Sequence, residues 1–177
     1  FVQSEGYPFY RNTDFEYYAP CEEGFECMLD ELRKAEKYIF MEYFIIEEGV
    51  MWNSILSILE EKVKQGVEVR VMYDDMGSLN TLPASYVKVL QKKGIKAVSF
   101  NRISPIINII MNHRDHRKIL VIDGKVAFSG GANLADEYIN KKIVHGHWMD
   151  NIICVKGNAV WSYLVTFLTN WNALCHE

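Results

Sequence analysis

Between residues 22 and 100, amphipathic helical stripes alternate with short apolar runs rich in aromatic and β-branched residues, and this alternation constrains the fold more than any other feature. Phe25, Met28, Leu29 and Leu32 have helical spacing and predict a helix over 22–36. Tyr38 to Ile46 reads as a buried strand. Trp52, Ile55, Leu56, Leu59 and Val63 make a second helical stripe that Gly66 ends, and Val67 to Tyr73 is a second strand closed by Asp74, Asp75 and Gly77. Pro83 opens a third helix through Tyr86, Val89 and Leu90, Gly94 stops it, and Ile95 to Phe100 is a third strand. This βαβαβ order predicts an α/β fold: a mixed, largely parallel sheet with helices on both faces, in one domain spanning all 177 residues. Ile152 to Val155 reads as a last buried strand, and Val160, Trp161, Leu164, Val165, Leu168 and Trp171 stripe a terminal helix.

The second half breaks the alternation with a hairpin. Ile119 to Ile122, then Asp123-Gly124, then Val126 to Ser129 is the pattern of two strands joined by a two-residue type I′ turn. Side chains alternate along a strand, so His116 and Lys118 share one face. Asp123 falls on the other face, about 23 Å from His116 at about 3.3 Å per residue, and so reads as a turn former with Gly124. Folding about Asp123-Gly124 pairs Ile122 with Lys125, Leu120 with Ala127, Lys118 with Ser129 and His116 with Gly131. Gly130 and Gly131 then lie opposite the histidine, where they either admit a ligand to the backbone or make a strand-to-helix turn. Asn133 follows, either as the N-cap of a short helix from about Leu134 or as a ligand contact. An imidazole, an ammonium, a carboxamide and exposed amides converge, which suits a tetrahedral anion with a nucleophile beside it. Ser129 faces Lys118 in this register or simply makes room there.

The run His116-x-Lys118, four residues, Asp123, six residues, Gly130-Gly131-x-Asn133 resembles the HKD signature of the phospholipase D superfamily without a gap. The flanks Glu42 to Ile46, Tyr73-Asp74-Asp75, Asn112 to Lys118, Asn133 to Tyr138 and His147 to Asp150 are similar to the first catalytic half of bacterial cardiolipin synthases. The resemblance implies phosphatidyl transfer between two phosphatidylglycerol molecules, giving cardiolipin and glycerol. His116 would attack phosphorus and form a phosphohistidine, and a histidine from a second motif would handle the proton. Lys118 and Asn133 would hold phosphate oxygens. Asp150 would orient the His116 ring, as an acidic residue after the motif does in related enzymes, and His147 nearby would line the pocket or make a structural hydrogen bond. The resemblance implies no cofactor and no metal.

The family enzymes carry two motifs, and this chain has one His-x-Lys. The partner is then a second half in the same chain or a homodimer mate. The chain opens on Phe1, and the expectation is a soluble piece of a longer enzyme held at the cytoplasmic face of the cell membrane. Other readings are a homodimeric phosphodiesterase or nuclease, or a non-catalytic phospholipid-binding module. The intact His116 argues against the last. A net charge of −4, from 19 basic and 23 acidic residues, argues against a nucleic-acid partner. Apolar content of 49% excludes disorder. The four cysteines show no CxxC spacing, which disfavours a zinc ribbon or a disulfide framework. His113, His116, His145 and His147 lack the supporting carboxylates of a metal site. Glu42 in its apolar run calls for a Lys or Arg partner. Ile103 to Met111 is either a buried edge or a contact for acyl chains or a membrane surface.

Overall fold

The structure is a computed structural model that describes residues 8–101, 114–144 and 146–175. The apolar segment 103–111, His113 and His145 therefore lie outside the described residues.

Seven strands form one sheet among the described residues: β1 (Thr13–Tyr18), β2 (Tyr38–Tyr43), β3 (Glu68–Asp74), β4 (Lys96–Phe100), β5 (Lys118–Ile122), β6 (Val126–Gly130) and β7 (Ile152–Gly157). Their order is β1-β7-β6-β5-β2-β3-β4. Helices α1 (Cys21–Arg33), α2 (Val50–Lys64) and α3 (Tyr86–Lys92) pack on one face, and α4 (Val160–Cys175) packs on the other. The period-2 alternation of β2 explains the two layers. Ile39, Met41 and Tyr43 join the core under α1 to α3, while Phe40 joins Phe167 and Trp171 of α4.

The sheet is mixed and carries helices on both faces, as the sequence predicts, but it is not largely parallel. β2–β3 and β3–β4 are parallel, and the other four pairings are antiparallel. The helical crossovers that impose parallel pairing end at β4. The chain then re-enters beside β2 as a hairpin, and β7 and β1 extend that antiparallel side. β1 has no signal in the sequence because it is an edge strand with little buried face; Phe15 is 73% and Tyr17 61% exposed.

The hairpin turn forms at Asp123 and Gly124, whose φ angles of 54° and 65° match type I′ geometry. The Lys125 N–H donates to Ile122 O at 2.9 Å. The ladder, however, resumes one residue later than predicted, pairing Ile122 with Val126, Val121 with Ala127 and Leu120 with Phe128. Lys125 is left out because its carbonyl accepts from the Gly157 N–H of the neighbouring strand β7 at 3.3 Å. This slip reverses the parity of β6. Ser129 shares the face of Ala127, toward α4, and not that of Lys118, which follows Leu120 and Ile122.

The helix expected from Leu134 is a single 3₁₀ turn, Asp136–Ile139. Asn133 is not its cap; the Leu134 N–H donates to Ile45 O at 3.1 Å instead. Asp136 caps a different helix, accepting from the N–H groups of Val50 (2.9 Å) and Met51 (2.8 Å) at the start of α2.

Candidate active site

The site lies at the end of the sheet where β5 begins, β6 ends and α4 passes over. His116 is exposed just before β5. Lys118, two residues on, is buried beside Tyr43 of β2, its register partner. The Lys118 Nζ lies 3.1 Å from Nδ1 and 3.2 Å from Nε2 of His116, and it donates to the His116 carbonyl at 2.8 Å. The amine can therefore donate to whichever ring nitrogen carries the lone pair. Burial lowers the Lys118 pKa from its ordinary value, against the opposing charges of Asp150 and Asp115.

Phe44, which the sequence singles out only as part of the flank Glu42 to Ile46, forms a wall of the site. Its ring centroid is 4.7 Å from that of His116, and the Lys118 amine lies 5.6 Å from it. His116, Lys118, Ser129 and Gly130, with Tyr163 and Thr166 of α4, line an open hollow of about 340 Å³. The α4 residues were also missed. A signal existed: Tyr163, Thr166 and Asn170 interrupt the apolar stripe of α4 on one helical face.

The remaining motif residues sit behind the histidine. Asn133 is 3% exposed, and its carboxamide is engaged internally. Oδ1 accepts from the Ile45 N–H at 3.0 Å, and Nδ2 donates to the Tyr138 hydroxyl at 2.9 Å. Both glycines meet protein rather than open space. A Cβ on Gly130 would lie 2.4 Å from the Asn151 carbonyl oxygen, and one on Gly131 would lie 1.9 Å from Oδ1 of Asp150. Gly130 also has a φ of 141°, a conformation that side-chain-bearing residues rarely adopt. The start of β7 is pressed against this turn, with Gly131 N–H donating to Asn151 O at 3.2 Å.

Asp150 accepts from its neighbour Asn151 N–H at 2.8 Å, and among the described residues no hydrogen bond joins it to His116. Its charge reaches the site through Lys118 instead. His147 is exposed and is not among the residues lining the hollow. Its neighbour Trp148 is the anchored one, clasped by Asn140 through both its N–H (2.7 Å) and its carbonyl (3.1 Å). Asp123 is remote from the hollow. Its carboxylate accepts from the N–H groups of Glu36, Lys37 and Tyr38 at 2.8, 2.8 and 2.9 Å, clamping the turn onto the start of β2.

Glu42 is 1% exposed, with the guanidinium of Arg117 3.6 Å away. Asn170 of α4 donates to Glu42 Oε1 at 2.8 Å. Among the described residues, the grouping with metal-ligand spacing is Glu16, Cys27 and Cys154, which is away from this site. All four cysteines are free. No helix of the described residues is long and apolar enough to cross a membrane.

Residues 28–165 match the family described as "Cardiolipin synthase, PLD-like domain". The chain belongs to that family. It is 54% identical over 170 residues to an uncharacterized protein of Streptococcus mutans, covering 96% of this chain and 37% of that protein. It is 37% identical over 162 residues to cardiolipin synthase 2 of Staphylococcus epidermidis, covering 92% of this chain and 33% of the relative. The chain thus spans about a third of the length of these curated relatives. Among solved structures it resembles Nuc, a phospholipase D family member from Salmonella typhimurium, with a TM-score of 0.68 at 19% identity. That match covers 91% of this chain and 95% of Nuc, and it shows the shared fold.

Proposed function

We propose that this PLD-like chain supplies one half of a phosphatidyltransferase site in which His116 is the nucleophile. The observation that carries the reading is the exposed His116 ring with the Lys118 amine 3.1 and 3.2 Å from its two nitrogens, at the mouth of an open hollow. A phosphodiester oxygen entering the hollow accepts from the Lys118 ammonium, a contact typically worth about 1.5–3 kcal/mol. A His116 ring nitrogen attacks phosphorus, and the bond from phosphorus to the leaving glycerol oxygen breaks. A histidine of a second motif, in the complete protein or in a second copy of the chain, gives the alkoxide its proton. That histidine then takes the proton of the incoming hydroxyl, whose oxygen attacks phosphorus and breaks the P–N bond. With phosphatidylglycerol as both donor and acceptor, the products are cardiolipin and glycerol. The membrane surface is the partner this substrate requires.

Asn133 and Asp150 take positioning roles. Asn133 ties the Ile45 backbone, next to Phe44, to Tyr138. Asp150 supplies negative charge beside Lys118.

The test is an incubation of the complete protein with phosphatidylglycerol carrying labelled phosphate, followed by rapid quenching. Acid-labile, alkali-stable label that disappears in His116→Gln supports the intermediate, and mass spectrometry identifies the lipid product. No label on a protein that still turns over would refute the covalent step. A second reading has one observation behind it: the chain covers 95% of Nuc, a chain with a single such fold unit. In that reading two copies form the site and water is the acceptor. The product would be phosphatidic acid, with full activity in the chain alone.

A further inference from the structure

We propose that Glu42 and Asp115 form a buried acid pair sharing one proton, and that this pair positions the His116–Lys118 segment. The inference rests on the proposed function only where turnover is measured. Glu42 is 1% and Asp115 4% exposed. Of their four carboxylate oxygens, two accept hydrogen bonds and two do not. Glu42 Oε1 accepts from Asn170 Nδ2 at 2.8 Å, and Asp115 Oδ1 accepts from the Arg117 N–H and guanidinium, both at 3.2 Å. Glu42 Oε2 and Asp115 Oδ2 are buried with no donor of their own. Two buried carboxylate oxygens cannot both stay bare and charged without a large desolvation cost. One proton between them satisfies both.

Charge counting gives the same answer. The groups facing Glu42 are Asp115 and Arg117 from the segment before β5 and the neutral Asn170 from α4. On the far side of Asp115, Asp74 Oδ2 accepts the Asp115 N–H at 3.1 Å, and Arg114 lies 3.5 Å from Asp74. Arg117 faces both carboxylates, and Lys118 faces Asp115 with Asp150 as a further counter-charge, so a single charge on the Glu42–Asp115 pair matches the one guanidinium that lies against both. Burial, then the hydrogen bond and charge of Asp115, raise the Glu42 pKa to about 9.

The pair sits where it can hold the nucleophile. Asp115 immediately precedes His116, and Glu42 is two residues before Phe44, whose ring touches the His116 ring. β2 and β5 are joined in register here, Glu42 to Ile119 and Tyr43 to Lys118. The shared proton links both walls around the histidine and ties them to α4 through Asn170.

The test compares the complete wild-type protein with Glu42→Gln, which replaces the proton by an amide N–H, and with Glu42→Leu, which leaves Asp115 Oδ2 with nothing to share a proton with. Because the folded state holds a proton that the unfolded chain releases above the ordinary Glu range, the pair's stabilising contribution falls as pH rises toward about 9. The wild-type thermal midpoint should therefore lose more between pH 6 and 9 than the Glu42→Gln midpoint. His116 ring resonances should shift near pH 9 in the wild type and not in Glu42→Gln. Both readouts need no substrate, so they decide the proposal even if the protein turns over no phosphodiester. In turnover, Glu42→Gln should retain kcat and lose the alkaline fall, while Glu42→Leu should lose about 10–100-fold in kcat with KM little changed. If Glu42→Leu does not fold, Glu42→Gln decides alone. A wild-type pH slope retained in Glu42→Gln, or a His116 shift unaltered by it, overturns the proposal, as does a folded Glu42→Leu with wild-type kcat.

Discussion

The carboxylate of Asp150 occupies the space into which a side chain on Gly131 would grow, with Oδ1 only 1.9 Å from the position of a Cβ there. The glycine is required by this neighbour just before β7, and the neighbour's charge acts on Lys118. Gly131→Ala should therefore cost about 1–3 kcal/mol through forced displacement of Asp150. Chemical denaturation measures the loss, and Gly131→Ala combined with Asp150→Ala should be less destabilised than the sum of the two single changes. Strict additivity would show that the contact is not the cause.

Asp123 separates a turn-forming role from a clamping one. Asn is as good as Asp in an Asx-Gly type I′ turn, so a pure turn former would tolerate Asp123→Asn. The Asp123 carboxylate instead holds three backbone N–H groups, and an amide offers one acceptor oxygen. Asp123→Asn should cost about 1–3 kcal/mol, and Asp123→Ala about the same or more. Burial pushes this carboxyl up, but the three N–H groups and Lys125 outweigh it and hold its pKa below the ordinary value of 3.8. A depressed pKa contributes stability that is present above the unfolded value and lost as pH falls through the folded one. The wild-type acid limb should therefore be steeper below about pH 4 than that of Asp123→Ala, as urea midpoints across pH 2–6 would show. Specific activity per folded molecule should not change.

The alternation of stripes placed α1, α2, α3, β2, β3 and β4 because each element buries a face whose period is written in the chain. The Asp123-Gly124 turn was legible for the same kind of local reason. The hairpin register was not, because Lys125 leaves the ladder to bond Gly157 on β7, more than 30 residues away. That one-residue slip moved Ser129 to the α4 side. His116 and Lys118 were legible as a pair from the two-residue period of a strand, and their side chains do meet although His116 lies just before β5. Asn133 and Gly131 were legible as special positions, but what surrounds them depends on Ile45, Tyr138 and Asp150, which sequence distance hides. Phe44 carried no signal of its own beyond lying in the flank Glu42 to Ile46, since one more aromatic in an apolar run looks like core.

Asn133 should behave as a buried structural hydrogen-bonding group as much as a site residue. Tyr138→Phe removes the acceptor of the Asn133 Nδ2 bond, at 2.9 Å, and nothing in the hollow. It should cost about 1–3 kcal/mol, the price of one buried unsatisfied donor. Asn133→Ala loses the Ile45 contact as well and should cost more. Thermal and urea unfolding rank the two, and a Tyr138→Phe protein as stable as wild type would remove Asn133 from its positioning role.

Lys118 sets function against stability most directly. Burial disfavours its charged form, so its pKa lies below the ordinary 10.5 despite the pull of Asp150 and Asp115. Between the folded and unfolded pKa values the unfolded chain binds more protons, and stability contributed by this group rises with pH. At neutral pH the buried ammonium is thus a liability to the fold. Lys118→Met keeps the length and apolar stem of the side chain and removes the charge. It should leave stability at pH 7 equal to or above wild type, and that advantage over wild type should shrink as pH rises toward the ordinary lysine value of 10.5. Transfer activity should meanwhile fall by about 10–100-fold or more, the worth of one charge-assisted phosphate contact. Parallel melts and phosphatidylglycerol turnover on the complete protein check both halves. A Lys118→Met protein that is less stable at neutral pH, or one that keeps its activity, would contradict the assignment of this amine to a phosphate that replaces the His116 ring as its partner.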